Sequence, residues 1–142
     1  MSIRLSEEEM RYMALFEILS GVKAQDCIVD DESKKLTFVV KKEFVGISIG
    51  RGGSTIKKIK RLVGRDVEVV GYSENPIEFL KILLAPAEIN NLTFSEEDGK
   101  KIAIVEVRQQ DKGLAIGRGG GRIKRAKRLA QRHCGIHNIV VK

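Results

Sequence analysis

Apolar residues recur at Met10, Met13, Ala14 and Ile18, the spacing of one helix face. Ser6-Glu7-Glu8-Glu9 supplies the start. The serine oxygen can accept from the third backbone amide, and Glu9 can reach back to the serine amide. Leu5 and Met10 flank this capping box, and Gly21 offers a left-handed stop, so the pattern predicts a helix over 7–20. The period then changes. Cys27-Ile28-Val29 and Lys35 to Val40 are rich in branched and aromatic residues, which predicts two strands of a hairpin around Asp30-Asp31-Glu32-Ser33. Phe44 to Ile49 predicts one or two turns of helix. Ile56, Ile59, Leu62 and Val63 form an apolar stripe on a further helix that ends at Gly64, and Val67, Val69 and Val70 read as a closing strand.

Gly71 to Asn75 reads as a junction, after which the order starts again. Asn75-Pro76-Ile77-Glu78 opens a helix with a capping asparagine and proline at the first position, and Pro86 closes it. Ile89 to Phe94 and Lys101 to Arg108 predict strands about a turn at Glu96-Glu97-Asp98-Gly99. Lys112 to Ile116 predicts a short helix. Ile123, Ala126, Leu129 and Ala130 mark the inner face of a long helix, and Ile139-Val140-Val141 a last strand. Each half thus reads α-β-β-α-α-β.

The repetition is also literal. Ile49-Gly50-Arg51-Gly52-Gly53-Ser54-Thr55-Ile56-Lys57-Lys58-Ile59-Lys60-Arg61-Leu62 returns 67 residues later, without a gap, as Ile116 to Leu129, with ten of fourteen positions identical. A period of this size in a chain of 142 residues implies one structural unit used twice, over 1–72 and 73–142. Each unit is near the lower size limit for a self-sufficient core. The short junction favours rigid packing. Gly120 to Gly135 exceeds Gly53 to Gly64 by four residues, so the second of the two basic helices should be about one turn longer.

Charge changes the picture. Residues 50–65 and 117–132 hold thirteen of the 26 lysines and arginines and no acid, which leaves the remainder at −6 within a net charge of +7. Two basic patches on an acidic body point to a polyanionic partner. Solvated helix faces alone would not account for the glycines that precede both patches. Two cysteines, Cys27 and Cys134, make no disulfide framework and fit a reducing compartment. Residues 1–9 have no signal-peptide core, and no apolar run is long enough to cross a membrane, so a cytoplasmic protein with no membrane partner is expected.

The glycine loops exclude two phosphate motifs. Neither has the Gly-Lys followed by Ser or Thr of a nucleotide P-loop. Counting from Gly50 or Gly117, the last glycine of a dinucleotide fingerprint is replaced by Thr55 or Arg122. What remains is Gly-x-x-Gly between two helices, Gly50-Arg51-Gly52-Gly53 and Gly117-Arg118-Gly119-Gly120. A loop without side chains lets a nucleic-acid backbone approach closely, and the helix behind it presents unpaired amides to phosphate.

Ile-Gly-x-x-Gly-x-x-Ile flanked by helices resembles the KH domain, whose loops clamp about four nucleotides of single-stranded backbone. With a helix and strand placed first, both units resemble the type II order. The resemblance implies an α+β fold of two tandem type II KH domains, each a three-stranded mixed sheet covered by helices on one face. The tandem and its Ile-Gly-Arg-Gly-Gly loops further resemble the archaeal NusA-like transcription termination and antitermination family, over essentially the whole chain.

The resemblance implies a monomeric protein that binds single-stranded RNA and associates with transcription elongation complexes. Gly50, Arg51, Gly52, Gly53, Lys57 and Lys58 would contact RNA from the first unit. Gly117, Arg118, Gly119, Gly120, Arg122, Lys124 and Arg125 would do so from the second. Ile49, Ile56, Ile116 and Ile123 match the family's apolar positions, as core or as groove floor. Ala126 stands where the first repeat has Ile59. The polymerase-binding and OB-fold regions of bacterial NusA have no counterpart in these residues.

An RNP-type sheet of aromatics is absent from a chain with 5% aromatic residues and no tryptophan. His133-Cys134 and His137 fall short of a closed four-ligand zinc set, and no metal or other cofactor is expected. The acids sit at helix starts and turns, where capping explains them, so neither a catalytic residue nor an enzyme is expected. The alternative is a ribosome-assembly or ribonucleoprotein scaffold protein using the same loops.

Overall fold

The computed structural model describes residues 4–142. Residues 1–3, where the reading of the N-terminus begins, lie outside the described residues. The chain divides into two compact units, 4–73 and 74–142.

In the first unit α1 spans Glu7–Ser20. The Ser6 hydroxyl accepts the Glu9 amide at 3.0 Å, and the Glu9 carboxylate accepts the Ser6 amide at 2.8 Å. The helix ends at Gly21, at φ 74°. The expected inner stripe of α1 needs correction. Met10 and Ile18 are 50% and 79% exposed, while Phe16 is fully buried and stacks on Phe38 with ring centroids 4.4 Å apart. Tyr12, Met13 and Leu19 pack beside it. Apolar residues lie nearly all round this helix, and the largest ring takes the interior.

Strands β1 (Asp26–Asp30), β2 (Lys35–Lys41) and β3 (Asp66–Tyr72) form a mixed sheet in that order. β1 and β2 are antiparallel, from Asp26 opposite Val39 to Asp30 opposite Lys35. β2 and β3 are parallel, from Lys35 opposite Asp66 to Lys41 opposite Tyr72. Gly71 and Tyr72 therefore belong to the last strand and not to the junction. A parallel pair needs a long crossover. Residues 42–65 provide it as a 3-10 turn, α2 (Val45–Ile49), the glycine loop and α3 (Ser54–Val63). Fully buried Ile59 roots α3 in the core beside Phe16, Phe38 and Val40.

The second unit repeats the plan. In α4 (Pro76–Leu84) the Asn75 side chain accepts the Ile77 and Glu78 amides at 2.9 and 3.3 Å. β4 (Ile89–Glu97) and β5 (Lys100–Val107) are antiparallel, and β5 pairs in parallel with β6 (Ile136–Val141). The hairpin turn is tighter than the expected Glu96–Gly99. Only Asp98 and Gly99 turn, both with positive φ, as a two-residue hairpin loop requires. Glu96 and Glu97 instead sit in β4 opposite Lys101 and Lys100, where opposite charges favour pairing. β6 begins at Ile136, directly after α6 ends on Gly135, rather than at Ile139. The crossover holds α5 (Lys112–Ile116), the second glycine loop and α6 (Gly121–Cys134). α6 has 14 residues against 10 in α3, the expected extra turn. Ala126 is fully buried, as Ile59 is in the first unit, and α4 packs against α6.

Candidate nucleic-acid interface

Both glycine loops hang from the middle of a parallel crossover, and their backbones agree closely. Gly50 has φ 80°, ψ 167°, and Gly117 has φ 79°, ψ 172°. That region is open essentially to glycine alone. A Cβ on Gly50 would stand 2.5 Å from Thr55 Oγ1 and 2.9 Å from the Thr55 amide nitrogen. On Gly117 it would stand 2.7 Å from Arg122 Cβ and 2.8 Å from the Arg122 amide nitrogen. The first glycine of each loop is therefore needed by the fold itself.

The next glycines differ. Gly52 and Gly53 have φ 62° and 76°, and Gly119 and Gly120 have φ 60° and 76°, all left-handed. A Cβ on Gly52 or Gly119 would meet nothing within 4 Å. These two positions form the open tips of the loops. The Gly53 amide donates to the Gly50 carbonyl at 3.0 Å, and the Gly120 amide to the Gly117 carbonyl at 3.1 Å, which closes each loop into one rigid turn.

Behind each tip begins a helix that no side chain caps. An N-terminus in that state offers backbone amides and a partial positive charge to an anion. Arg51 and Arg118 are exposed beside the tips, as are Lys57 and Lys58 on α3 and Lys124 on α6. The loop thus combines close backbone approach, amide donors and exposed cations, the set of groups that phosphate oxygens need.

Not every basic residue of the two windows faces outward in this way. Arg122 donates from Nη1 to the Leu114 carbonyl at 2.6 Å, tying α6 to α5 across the loop. Arg125 donates from Nη2 to the Leu83 carbonyl at 2.5 Å, tying α6 to the end of α4. Lys60 pairs with Asp66 at 3.1 Å and Arg65 with Asp31 at 3.0 Å. Burial disfavours the Asp66 anion, but Lys60, the Val67 amide and Lys35 together hold the carboxyl below its usual value. These residues brace the frame that carries the loops.

Two exposed aliphatics join the site that the sequence pattern does not single out. Ile47 is 61% exposed and Leu114 is 43% exposed, 67 residues apart and each three positions before the first loop glycine. Ile116, two residues after Leu114, is also exposed, whereas Ile56 packs on the core and Ile49 and Ile123 are half-buried. The signal was available: the same exposed aliphatic in both copies of the repeat. At the far end of α6, the His133 ring stands edge-on to Phe79 with centroids 6.0 Å apart. No group of three potential metal ligands occurs among the described residues.

Loop, crossover and mixed sheet together define a class. Residues 9–89 match the KH domain family, and residues 76–140 match the NusA-like second KH domain. The chain belongs to the archaeal NusA-like family of KH-domain proteins. It is 39% identical over 139 residues to the probable transcription termination protein NusA of Halobacterium salinarum, covering 98% of each chain. It is 34% identical over 128 residues to the transcription termination/antitermination protein NusA of Borreliella burgdorferi, covering 86% of this chain but 26% of that one. The crystal structure of APE1850 is similar to it with a TM-score of 0.88 and 36% identity, over 97% of this chain and all of that one. KH domains are an RNA-binding class, and the family is not an enzyme family. Among the described residues, no helix is long and apolar enough to cross a membrane.

Proposed function

We propose that the protein binds single-stranded RNA through its two glycine loops and acts in transcription termination, antitermination or elongation. The observation that carries this reading is the duplicated loop. Two tips with left-handed glycines, empty space in front of them and uncapped helices behind them recur with backbone angles that differ by only a few degrees. Phosphates would lie against Gly50–Gly53 and Gly117–Gly120, met by the helix amides. Arg51, Arg118, Lys57, Lys58 and Lys124 would add charge along the strand. Bases would turn toward the aliphatic side chains Ile47 and Leu114. Arg122 and Arg125 would act through loop geometry as much as through contact, because each spends a donor inside the fold.

The test is ultraviolet crosslinking in cells, with the bound RNA sequenced and the crosslinked peptides mapped. Crosslinks concentrated in 47–58 and 114–124, on nascent transcripts, are expected. Crosslinks confined to folded ribosomal RNA would point to a ribonucleoprotein scaffold instead. Crosslinks on the hairpin turns at 31–34 or 98–99 would overturn the assignment of the loops.

A further inference from the structure

The duplication separates what the two units share from what only one has. Shifted by 67 residues, Lys41, Phe44 and Ile47 of the first unit correspond to Arg108, Asp111 and Leu114 of the second. In the second unit, Asp111 is 3% exposed and closes a gap. Its carboxylate accepts the Glu88 amide at 3.0 Å and Arg108 Nε at 3.1 Å. Residue 88 lies in the segment between α4 and β4. This latch therefore ties that segment to the turn before α5.

The first unit has the same two walls and no such latch. Phe44, at the position of Asp111, is 39% exposed and faces a cleft of about 700 Å³. The cleft extends from Leu5 and Met13 to the segment 21–25 after α1, and its far wall is Lys41, Phe44 and Ile47. Lys23 and Lys41 stand among the lining residues, and no carboxylate does among the described residues.

We propose that this cleft is a docking site for a protein partner, taking an amphipathic helical segment with an apolar face and flanking acids. The lining is mainly apolar, and its charged residues, Lys23 and Lys41, are cationic, which suits the apolar face and flanking acids of a helix laid in a groove. An RNA strand is the less favoured occupant. The groups that suit phosphate are duplicated in both units, while Phe44 in the cleft wall has Asp111 as its counterpart in the second unit, and the lining is mainly apolar. The two uses meet at Ile47, the one cleft residue that has an aliphatic counterpart beside the second loop.

Lys41→Arg with Phe44→Asp grafts the second unit's latch onto the first and should draw the walls together. A phage-displayed library of random 16-residue peptides is selected on the full chain and counter-screened on the grafted variant. Clones with apolar residues at helical spacing and interspersed acids are expected, bound at least tenfold more weakly by the graft. Binding of a short single-stranded RNA to the graft should stay within twofold of the parent. Because the graft could perturb folding, Lys23→Glu, on an exposed side chain, serves as a second variant and should weaken the same clones. Failure to enrich clones that separate parent from graft overturns the proposal, as does equal binding by the Lys23 variant. A tenfold loss of RNA affinity in the graft assigns the cleft to the RNA strand instead. These outcomes are independent of the loop tips, which remain unaltered.

Discussion

Two glycines two positions apart should differ sharply in what an alanine costs. Gly50→Ala forces a side chain into a backbone region that costs about 1–3 kcal/mol for other residues. It also places the new Cβ 2.5 Å from Thr55 Oγ1 and 2.9 Å from the Thr55 amide nitrogen, where the first turn of α3 must shift. Together these give roughly 3 kcal/mol. Gly52→Ala also occupies a left-handed region, at roughly 1 kcal/mol, but its Cβ meets nothing within 4 Å. The expected gap is thus about 2 kcal/mol. With a urea slope near 1 kcal/mol/M for a unit of this size, the midpoints should separate by about 2 M. The chain has no tryptophan, and its two tyrosines, Tyr12 and Tyr72, both lie in 4–73. Intrinsic tyrosine fluorescence therefore reports on the unit that carries the substitution. Equal midpoints, or a lower one for Gly52→Ala, would refute the claim that the first loop glycine belongs to the fold and the third loop residue to the ligand.

Other consequences are quickly checked. Arg125→Ala should cost about 1.5–3 kcal/mol by removing a charged donor from the Leu83 carbonyl, whereas Lys58→Ala, on an exposed side chain, should leave stability within about 0.5 kcal/mol and weaken RNA binding. The reverse pattern in urea and filter-binding assays would exchange their roles. RNA affinity should fall with salt at a log–log slope of about −0.7 per phosphate, so about −3 to −6 for four to eight phosphates, and a flat titration would count against backbone clamping. The Glu88 amide and Arg108 hold the Asp111 carboxyl below its usual value despite burial. Its contribution is present above the unfolded-state value of about 3.9 and fades as pH falls through the depressed folded one. Asp111→Asn should accordingly flatten the acid limb of the stability curve, and an unchanged limb would contradict the latch.

Much of this was legible in the residues. Glycines at 50, 52 and 53 are the cheapest solution to three positive φ angles within four residues, and the 67-residue period shows that the solution was used twice. Capping chemistry placed the starts of α1 and α4 because Ser6 and Asn75 act locally. The inner face of α1 was not legible. Its apolar residues surround the helix, and only packing selects Phe16 over Met10 and Ile18. The β4–β5 turn is narrower than the polar run Glu96-Glu97-Asp98-Gly99 suggests, because Glu96 and Glu97 pair with lysines across the strands and Asp98-Gly99 alone supplies the two-residue loop. Arg122 and Arg125 could not be told from their lysine neighbours, since a carbonyl partner eight or 42 residues away leaves no local trace. Phe44 and Asp111 are equally opaque alone, and only their alignment in the repeat shows that a ring in one unit stands where a hydrogen-bonded carboxylate stands in the other.

The most direct measurement is RNA binding by the Gly52→Asp, Gly119→Asp double variant. Aspartate tolerates the left-handed backbone better than most residues and meets no neighbour there, so each change should cost about 1 kcal/mol of stability or less. It also puts a carboxylate where a phosphate would approach. Filter binding to a short unstructured RNA should show affinity lowered at least tenfold in protein that is still folded by circular dichroism. An affinity equal to that of the parent would contradict the account.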